Sequence, residues 1–227
     1  MHKKEKTDAQ RASVFTKIGK EISIAVREGG PDPVSNTRLR DLIQKAKANN
    51  VPNDNIERVI KKAAGGDGAQ YEVVVYEGYG IGGVAVIVET TTDNRNRTAA
   101  DIRHSFDKCG GNMGTTGCVS FMFADKGVIV VDGKTVADED RFMEDVIDFT
   151  GDDGIFEVFT DPSELPSVRD ALAEKGYAFL SAEVEKIPNT YVRLEDEEQR
   201  TKMNKLLGML EDNDDVQNVW HNWEDDE

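Results

Sequence analysis

Apolar residues recur at helical spacing three times in the first third of the chain. Phe15, Ile18, Ile22, Ala25 and Val26 share one face of a stretch from Asp8 to Glu28, while Lys17, Lys20 and Arg27 share the opposite one. Gly29-Gly30-Pro31-Asp32-Pro33 ends that pattern, since neither proline nor paired glycines continue a helix. A second periodic stretch from about Asn36 to Asn49 turns Leu39, Leu42, Ile43 and Ala46 inward, with Arg38 and Lys45 on one flank and Arg40 and Lys47 on the other. After an Asn-Asn-Val-Pro turn, Asp54 and Glu57 have the spacing of a capping box. They predict a third helix that buries Ile56, Val59, Ile60 and Ala63 and shows Arg58, Lys61 and Lys62 to water. Three short amphipathic helices predict a small bundle over residues 1–68.

From Tyr71 the period shortens to that of strands. Val73–Tyr76 and Val84–Val88 are joined by Gly78-Tyr79-Gly80-Ile81-Gly82-Gly83, which predicts a hairpin. The glycines lead into a strand rather than a helix, so no helix N-terminus is offered to a pyrophosphate. The stretch from Thr92 to Gly117 then reads as a loop, a helix and a glycine-rich return to a strand at Val119–Phe123. Thr98 and Asp101 again have capping-box spacing and place the helix start near Thr98, with Ala99, Ile102, Phe106 and Cys109 inward. Asn94, Arg95, Asn96 and Arg97 are thereby left in the connecting loop, two arginines between two amides, a set suited to phosphate or carboxylate. Arg103 follows on the helix.

Gly127–Val131 opens a further βαβαβ series. A helix is predicted over Asp138–Thr150, burying Phe142, Val146 and Phe149, and a strand over Ile155–Phe159. A helix over Ser163–Lys175 and a strand over Phe179–Val184, with Leu180, Ala182 and Val184 inward, complete the series. The last segment holds a strand at Tyr191–Leu194, a helix carrying Met203, Leu206, Leu207 and Leu210, and a strand through Val216, Val219 and Trp220. Two strands and a helix cannot close a core alone, so this segment is expected to pair with the earlier hairpin. The predicted fold is α+β: an N-terminal three-helix bundle (1–68) followed by two ferredoxin-like α+β domains. The first of these is discontinuous (71–126 plus 189–227), and the second (127–188) is inserted into it.

Charge divides the chain in the same place. The net charge is −16, but residues 1–66 carry 14 Lys and Arg against 8 Asp and Glu, whereas the remaining 161 carry 14 against 36. A compact 66-residue unit has a radius of gyration of roughly 11 Å, so its outer side lies beyond the screening length of about 8 Å at physiological salt. The basic head can therefore meet a polyanion independently of the acidic body. No apolar run approaches a membrane span and none follows Met1-His2-Lys3-Lys4 as a secretion signal would, which points to a cytoplasmic protein. Cys109 and Cys118 have no metal-ligand spacing and read as free thiols, and His2, His104 and His221 are scattered. The acidic groups at Asp138–Asp140 and Asp152–Asp153 fall in turns and first helical turns, where the helix dipole favours carboxylates, rather than forming a magnesium site. No metal, no cofactor and no catalytic constellation are expected.

Ordered blocks along nearly the whole chain resemble one family. They are Phe15-Thr16-Lys17, Asn36 with Arg38-Leu39-Arg40, Tyr76-Glu77-Gly78-Tyr79-Gly80, Asp93-Asn94-Arg95-Asn96-Arg97-Thr98, Lys108-Cys109-Gly110-Gly111-Asn112, Gly127-Val128-Ile129, and Leu210-Glu211-Asp212 running to Val216-Gln217 and His221-Asn222. The chain is similar to the YebC/PmpR family, which includes the mitochondrial translational activator of cytochrome oxidase subunit I. The resemblance implies a helical first domain, two α+β domains and a role in gene expression, as a DNA-binding transcriptional regulator or a ribosome-associated translation factor. It departs from the family at Ile81, where proline is common, and at its first residues, where the family has Gly-His-Ser-Lys-Trp. A nucleic-acid contact made by that segment is expected to be missing or replaced here.

The residues and the resemblance together predict a non-enzymatic nucleic-acid-binding regulator. Its expected contacts are Lys17, Lys20, Arg27, Arg38, Arg40, Lys45, Lys47, Arg58, Lys61 and Lys62 on the head, with Asn94, Arg95, Asn96, Arg97 and Arg103 beyond it. Such residues read phosphates rather than bases, so DNA and ribosomal RNA are both compatible partners. A purely protein-binding module, its acidic domains docking a basic partner, is the rival expectation.

Overall fold

A computed structural model describes residues 8–66, 68–136, 138–146, 149–152 and 154–224; the side chains of 8–11, 139 and 149–152 lie outside that description. Two compact units emerge, one running to Ser120 and resuming at Val192, the other Phe121–Tyr191.

The first unit opens with α1 (Asp8–Gly29), α2 (Thr37–Ala48) and α3 (Asn53–Ala64). Their apolar stripes meet in one core of Ile18, Ile22, Ala25, Val26, Leu39, Leu42, Ala46, Val51, Ile56 and Ala63. Asn36 caps α2 by accepting from Leu39 N at 3.0 Å, and its amide donates to the carbonyls of Ala25 and Gly30, tying the α1 exit to the α2 entry. The Asp54–Glu57 capping box is not formed. The helix begins two residues earlier, at Asn53 behind Pro52, with no side-chain cap, because the fixed φ of proline (−60°) already sets the entry.

The rest of this unit is a sheet of order β3-β1-β2-β9. Its strands are β1 (Glu72–Tyr79), β2 (Ala85–Thr92), β3 (Asn112–Met113) and β9 (Val216–His221), and α4 (Arg95–Lys108) and α7 (Glu197–Glu211) pack against them. β1 and β2 form the expected antiparallel hairpin, Glu72 opposite Thr92 and Tyr79 opposite Ala85. β9 returns from the end of the chain to pair antiparallel with β2. Val84, Val86, Val88, Ile102, Phe106, Met203, Leu206 and Leu210 fill the layer between sheet and helices. Two glycines permit close backbone approach between β1 and β3: a Cβ on Gly78 would lie 2.6 Å from the Asn112 carbonyl, and one on Gly111 2.6 Å from that of Tyr79.

The expected strand at Val119–Phe123 is absent. Ser120–Met122 is a single helical turn, and the N–H groups of Gly117, Val119 and Ser120 all donate to the Glu77 carboxylate at 2.8–2.9 Å. A backbone satisfied by a buried carboxylate does not pair with a strand. The predicted strand at Tyr191–Leu194 shortens to β8 (Val192–Arg193), which pairs in parallel with β10 (Trp223–Glu224).

The second unit is an antiparallel sheet of order β5-β6-β4-β7, comprising β4 (Phe123–Asp132), β5 (Phe149–Asp152), β6 (Ile155–Thr160) and β7 (Phe179–Pro188), with α5 (Glu139–Asp145) and α6 (Leu165–Glu174). Its core gathers Ile129, Val131, Phe142, Val146, Val158, Leu165 and Leu172. The helix expected to run to Thr150 ends at Asp145, and 149–152 pairs with β6 through a tight turn at Gly154, whose φ is +78°. In β7, Ala182 packs on the core as expected, but a register shift beside Val130 displaces Leu180, which is exposed together with Val184.

Candidate nucleic-acid interface

The cationic segment expected as a loop is the start of α4. Asn94 is the N-cap: its Oδ1 accepts from Arg97 N at 3.1 Å, so Arg95, Asn96 and Arg97 form the exposed first turn. Thr98 cannot act as the cap because its hydroxyl is buried, 2.7 Å from Asp215 Oδ2 and 2.8 Å from Thr92 Oγ1. The Tyr76 hydroxyl donates to the Arg95 carbonyl at 3.3 Å and steadies this turn from the sheet.

Asp215, in the turn between α7 and β9, organises the region. Lys20 Nζ of α1 lies 2.5 Å from its Oδ1, and Arg97 reaches its Oδ2 at 2.7 Å. Its carbonyl accepts from Thr91 N at 2.7 Å, so the same residue also joins β9 to β2. Burial alone would raise this carboxyl, but hydrogen bonds from Lys20, Arg97 and Thr98 outweigh burial and hold it down at about 2. The three-helix head is thus bonded to the sheet and to the α4 terminus through one carboxylate.

That geometry removes two residues from the expected cationic surface. Lys20 is 8% exposed and also donates to the Asp214 carbonyl, while Lys17 donates to the Glu211 carbonyl at 2.6 Å. Burial lowers the Lys17 ammonium below the usual lysine range, against the attraction of Asp214 and Glu211. A helical wheel put both on a polar face, and that face is covered by the turn after α7.

The other head cations divide by how firmly they are held. Arg27 donates to the Gly68 carbonyl at 2.8 Å, and Arg58 to Asn55 Oδ1 at 2.8 Å. Arg38 meets Glu28 at 2.6 Å in a pair exposed on both sides, worth at most about 1 kcal/mol. Lys45 stands 3.9 Å from Glu21. Arg40 and Lys47 on α2 and Lys61 and Lys62 on α3 are exposed and form no ion pair among the described residues. The same holds for Arg95 and Arg103, two turns apart on α4. Arg97 is shared between Asp215 and Asp93, and Asn96 lies exposed beside it.

Among the described residues, no three His, Cys, Asp or Glu side chains are grouped as metal ligands, and no helix is long and apolar enough to cross a membrane. Within the Asp138–Asp140 group, the Asp138 carboxylate accepts from Arg141 N as the cap of α5; Asp153 lies outside the described residues, as does the side chain of Asp152. Asp215 and Glu77 are the functional-region residues that sequence reasoning missed. A signal for Glu77 was present, a carboxylate on a strand beside a glycine-rich segment. None linked Asp215 to Lys20, 195 residues away.

Residues 1–66 match the TACO1/YebC protein N-terminal domain, and residues 71–223 match the TACO1/YebC second and third domain. A probable transcriptional regulatory protein of Acetivibrio thermocellus is 58% identical over 98% of this chain and 94% of its own length. One from Caldicellulosiruptor bescii is 54% identical over 100% of this chain and 95% of its own length. The crystal structure of a conserved hypothetical protein from Aquifex aeolicus superposes with a TM-score of 0.89 at 46% identity, covering 98% of this chain and 94% of that one. With both family domains matched in order and relatives aligned nearly end to end, the chain belongs to the TACO1/YebC family.

Proposed function

We propose that this protein is a non-enzymatic, cytoplasmic regulator of gene expression that holds DNA by its phosphate backbone. The contacts are the exposed cations of α2 and α3, joined by the first turn of α4. The relatives' naming as transcriptional regulatory proteins supports the coarse role. The observation that carries the finer reading is that Arg40, Lys47, Lys61, Lys62, Arg95 and Arg103 stay exposed without ion pairs among the described residues, in a chain with 44 acidic side chains. Cations left unneutralised in so acidic a protein are available to phosphates, whose counterions they displace. Nothing in their arrangement reads base edges, which favours binding without strong sequence preference. The second unit, with 17 Asp and Glu against 6 Lys and Arg over 121–191, repels polyanions by its charge and suits a basic protein partner.

Fluorescence anisotropy with a labelled DNA duplex tests the reading. Each phosphate contact contributes about 0.9 to the slope of log affinity against log salt. The triple reversal Arg40→Glu, Lys47→Glu, Lys61→Glu is therefore expected to abolish most binding and to flatten the slope by roughly 2 to 3. An unchanged slope rejects the assignment. Ribosome co-sedimentation of the same two proteins separates the DNA reading from that of a ribosomal RNA binder.

A further inference from the structure

Between α1, α3 and the segment Gly68–Tyr71 lies an open cleft of about 250 Å³. That is smaller than the roughly 300–1,000 Å³ that encloses a drug-sized ligand. One wall is the half-buried ring of Tyr71, over which Lys20 Nζ sits 5.8 Å from the centroid. Because Lys20 is fixed by Asp215, the ring is held in place by the same hub that joins head and sheet. The Tyr71 hydroxyl makes no hydrogen bond among the described residues.

The floor contains a glycine that packing does not require. Gly19 lies mid-way along α1, where glycine costs about 1 kcal/mol relative to alanine. A Cβ there would meet only Val59 Cγ2 at 3.8 Å, an ordinary contact, and its φ is not positive. What a side chain at 19 would occupy is the space of the cleft itself. The rim is cationic: Lys62 lines the opening, and the exposed Arg27 stands beside it, its Nη2–H donating to the carbonyl of the lining residue Gly68. Ser23 also lines the cleft, its hydroxyl donating to the Gly19 carbonyl at 2.9 Å and left with its acceptor side.

We infer that this cleft admits a single unpaired nucleobase beside Tyr71, with the adjoining phosphates on Lys62 and Arg27, so that the chain grips single-stranded segments or bulges in addition to duplex backbone. An aromatic wall, a base-sized volume and a cationic rim are the elements of a single-strand site, and aromatic contact tolerates any base because every base has a π-face. A base inside a duplex cannot reach such a slot without leaving its stack. The inference rests on the nucleic-acid reading above and narrows its ligand.

The test uses the full-length protein and labelled single strands of about 12 nucleotides, ribo and deoxy, beside a duplex of the same length. The variants are Tyr71→Leu, Gly19→Ala and Gly19→Leu. Wild type is expected to bind single strands at least as well as duplex. Tyr71→Leu and Gly19→Leu should each weaken single-strand binding roughly 10-fold while duplex binding stays within about 2-fold. Gly19→Ala should melt no lower than wild type yet bind single strands more weakly, a loss that misfolding cannot explain. A ribo preference names RNA as the source and equal binding names either strand; both support the slot. If the variants leave single-strand binding unchanged, or weaken both ligands alike, the slot is rejected and the backbone reading survives. Wild type binding neither ligand rejects both.

Discussion

Replacing Asp215 by asparagine tests the hub that holds the head to the sheet. The carboxyl sits at about 2 in the folded protein, against roughly 3.9 for an aspartate in an unfolded chain. That difference corresponds to about 2–3 kcal/mol of stability at neutral pH. The folded value is depressed, so the contribution is fully present above about pH 4 and is lost as the pH falls through about 2. Asparagine keeps an acceptor for Thr98 but leaves the buried Lys20 ammonium without its anion, so the measured loss should reach or exceed this figure. Urea unfolding followed by tryptophan fluorescence reads the right unit, because Trp220 and Trp223, the chain's two tryptophans, lie in β9 and β10. The expected result is about 3 kcal/mol of destabilisation near neutral pH that shrinks as wild-type Asp215 is itself protonated. A loss below about 0.5 kcal/mol, or one that does not change with pH, refutes the hub.

Three further substitutions probe the elements around it. Glu77→Gln should cost about 1.5–3 kcal/mol by weakening three backbone donors to a buried carboxylate. Burial raises the Glu77 carboxyl, but those donors bring it below the glutamate range, so its contribution should fade as pH drops below about 4; a pH-independent loss in thermal melts contradicts this. Asn94→Ala should cost about 1 kcal/mol and speed hydrogen exchange at Arg97 N, and unchanged exchange would argue against the cap. Gly78→Ala places a methyl 2.6 Å from the Asn112 carbonyl and should destabilise by about 1–3 kcal/mol in urea unfolding, with an unchanged midpoint as the contrary result.

Much of the fold was legible because its signals are local. The stripes of α1, α2 and α3 and the hairpin of β1 and β2 follow from spacing and glycine placement within a dozen residues. Boundaries failed where two local signals competed. Asn94 and Thr98 are both good caps, and only the pull of Asp215 on Thr98 decides between them. The strand at 149–152 was absorbed into a helical reading because Phe142, Val146 and Phe149 keep helical spacing across a real break after Asp145. The site suffered most from contacts distant in sequence. A helical wheel shows that Lys17 and Lys20 oppose the bundle core, but not that the turn at Glu211–Asp215 lies over them. Arg40, Lys47 and Lys61 were placed on a polar face by the same reasoning, and no element of the described chain covers them with an ion pair.

The most direct measurement is to crosslink the full-length protein to nucleic acid by ultraviolet light and identify the modified peptides by mass spectrometry. Crosslinks are expected within 37–64, within 94–103 and at Tyr71. Crosslinks confined to 121–191, or none above background, would contradict the proposed interface.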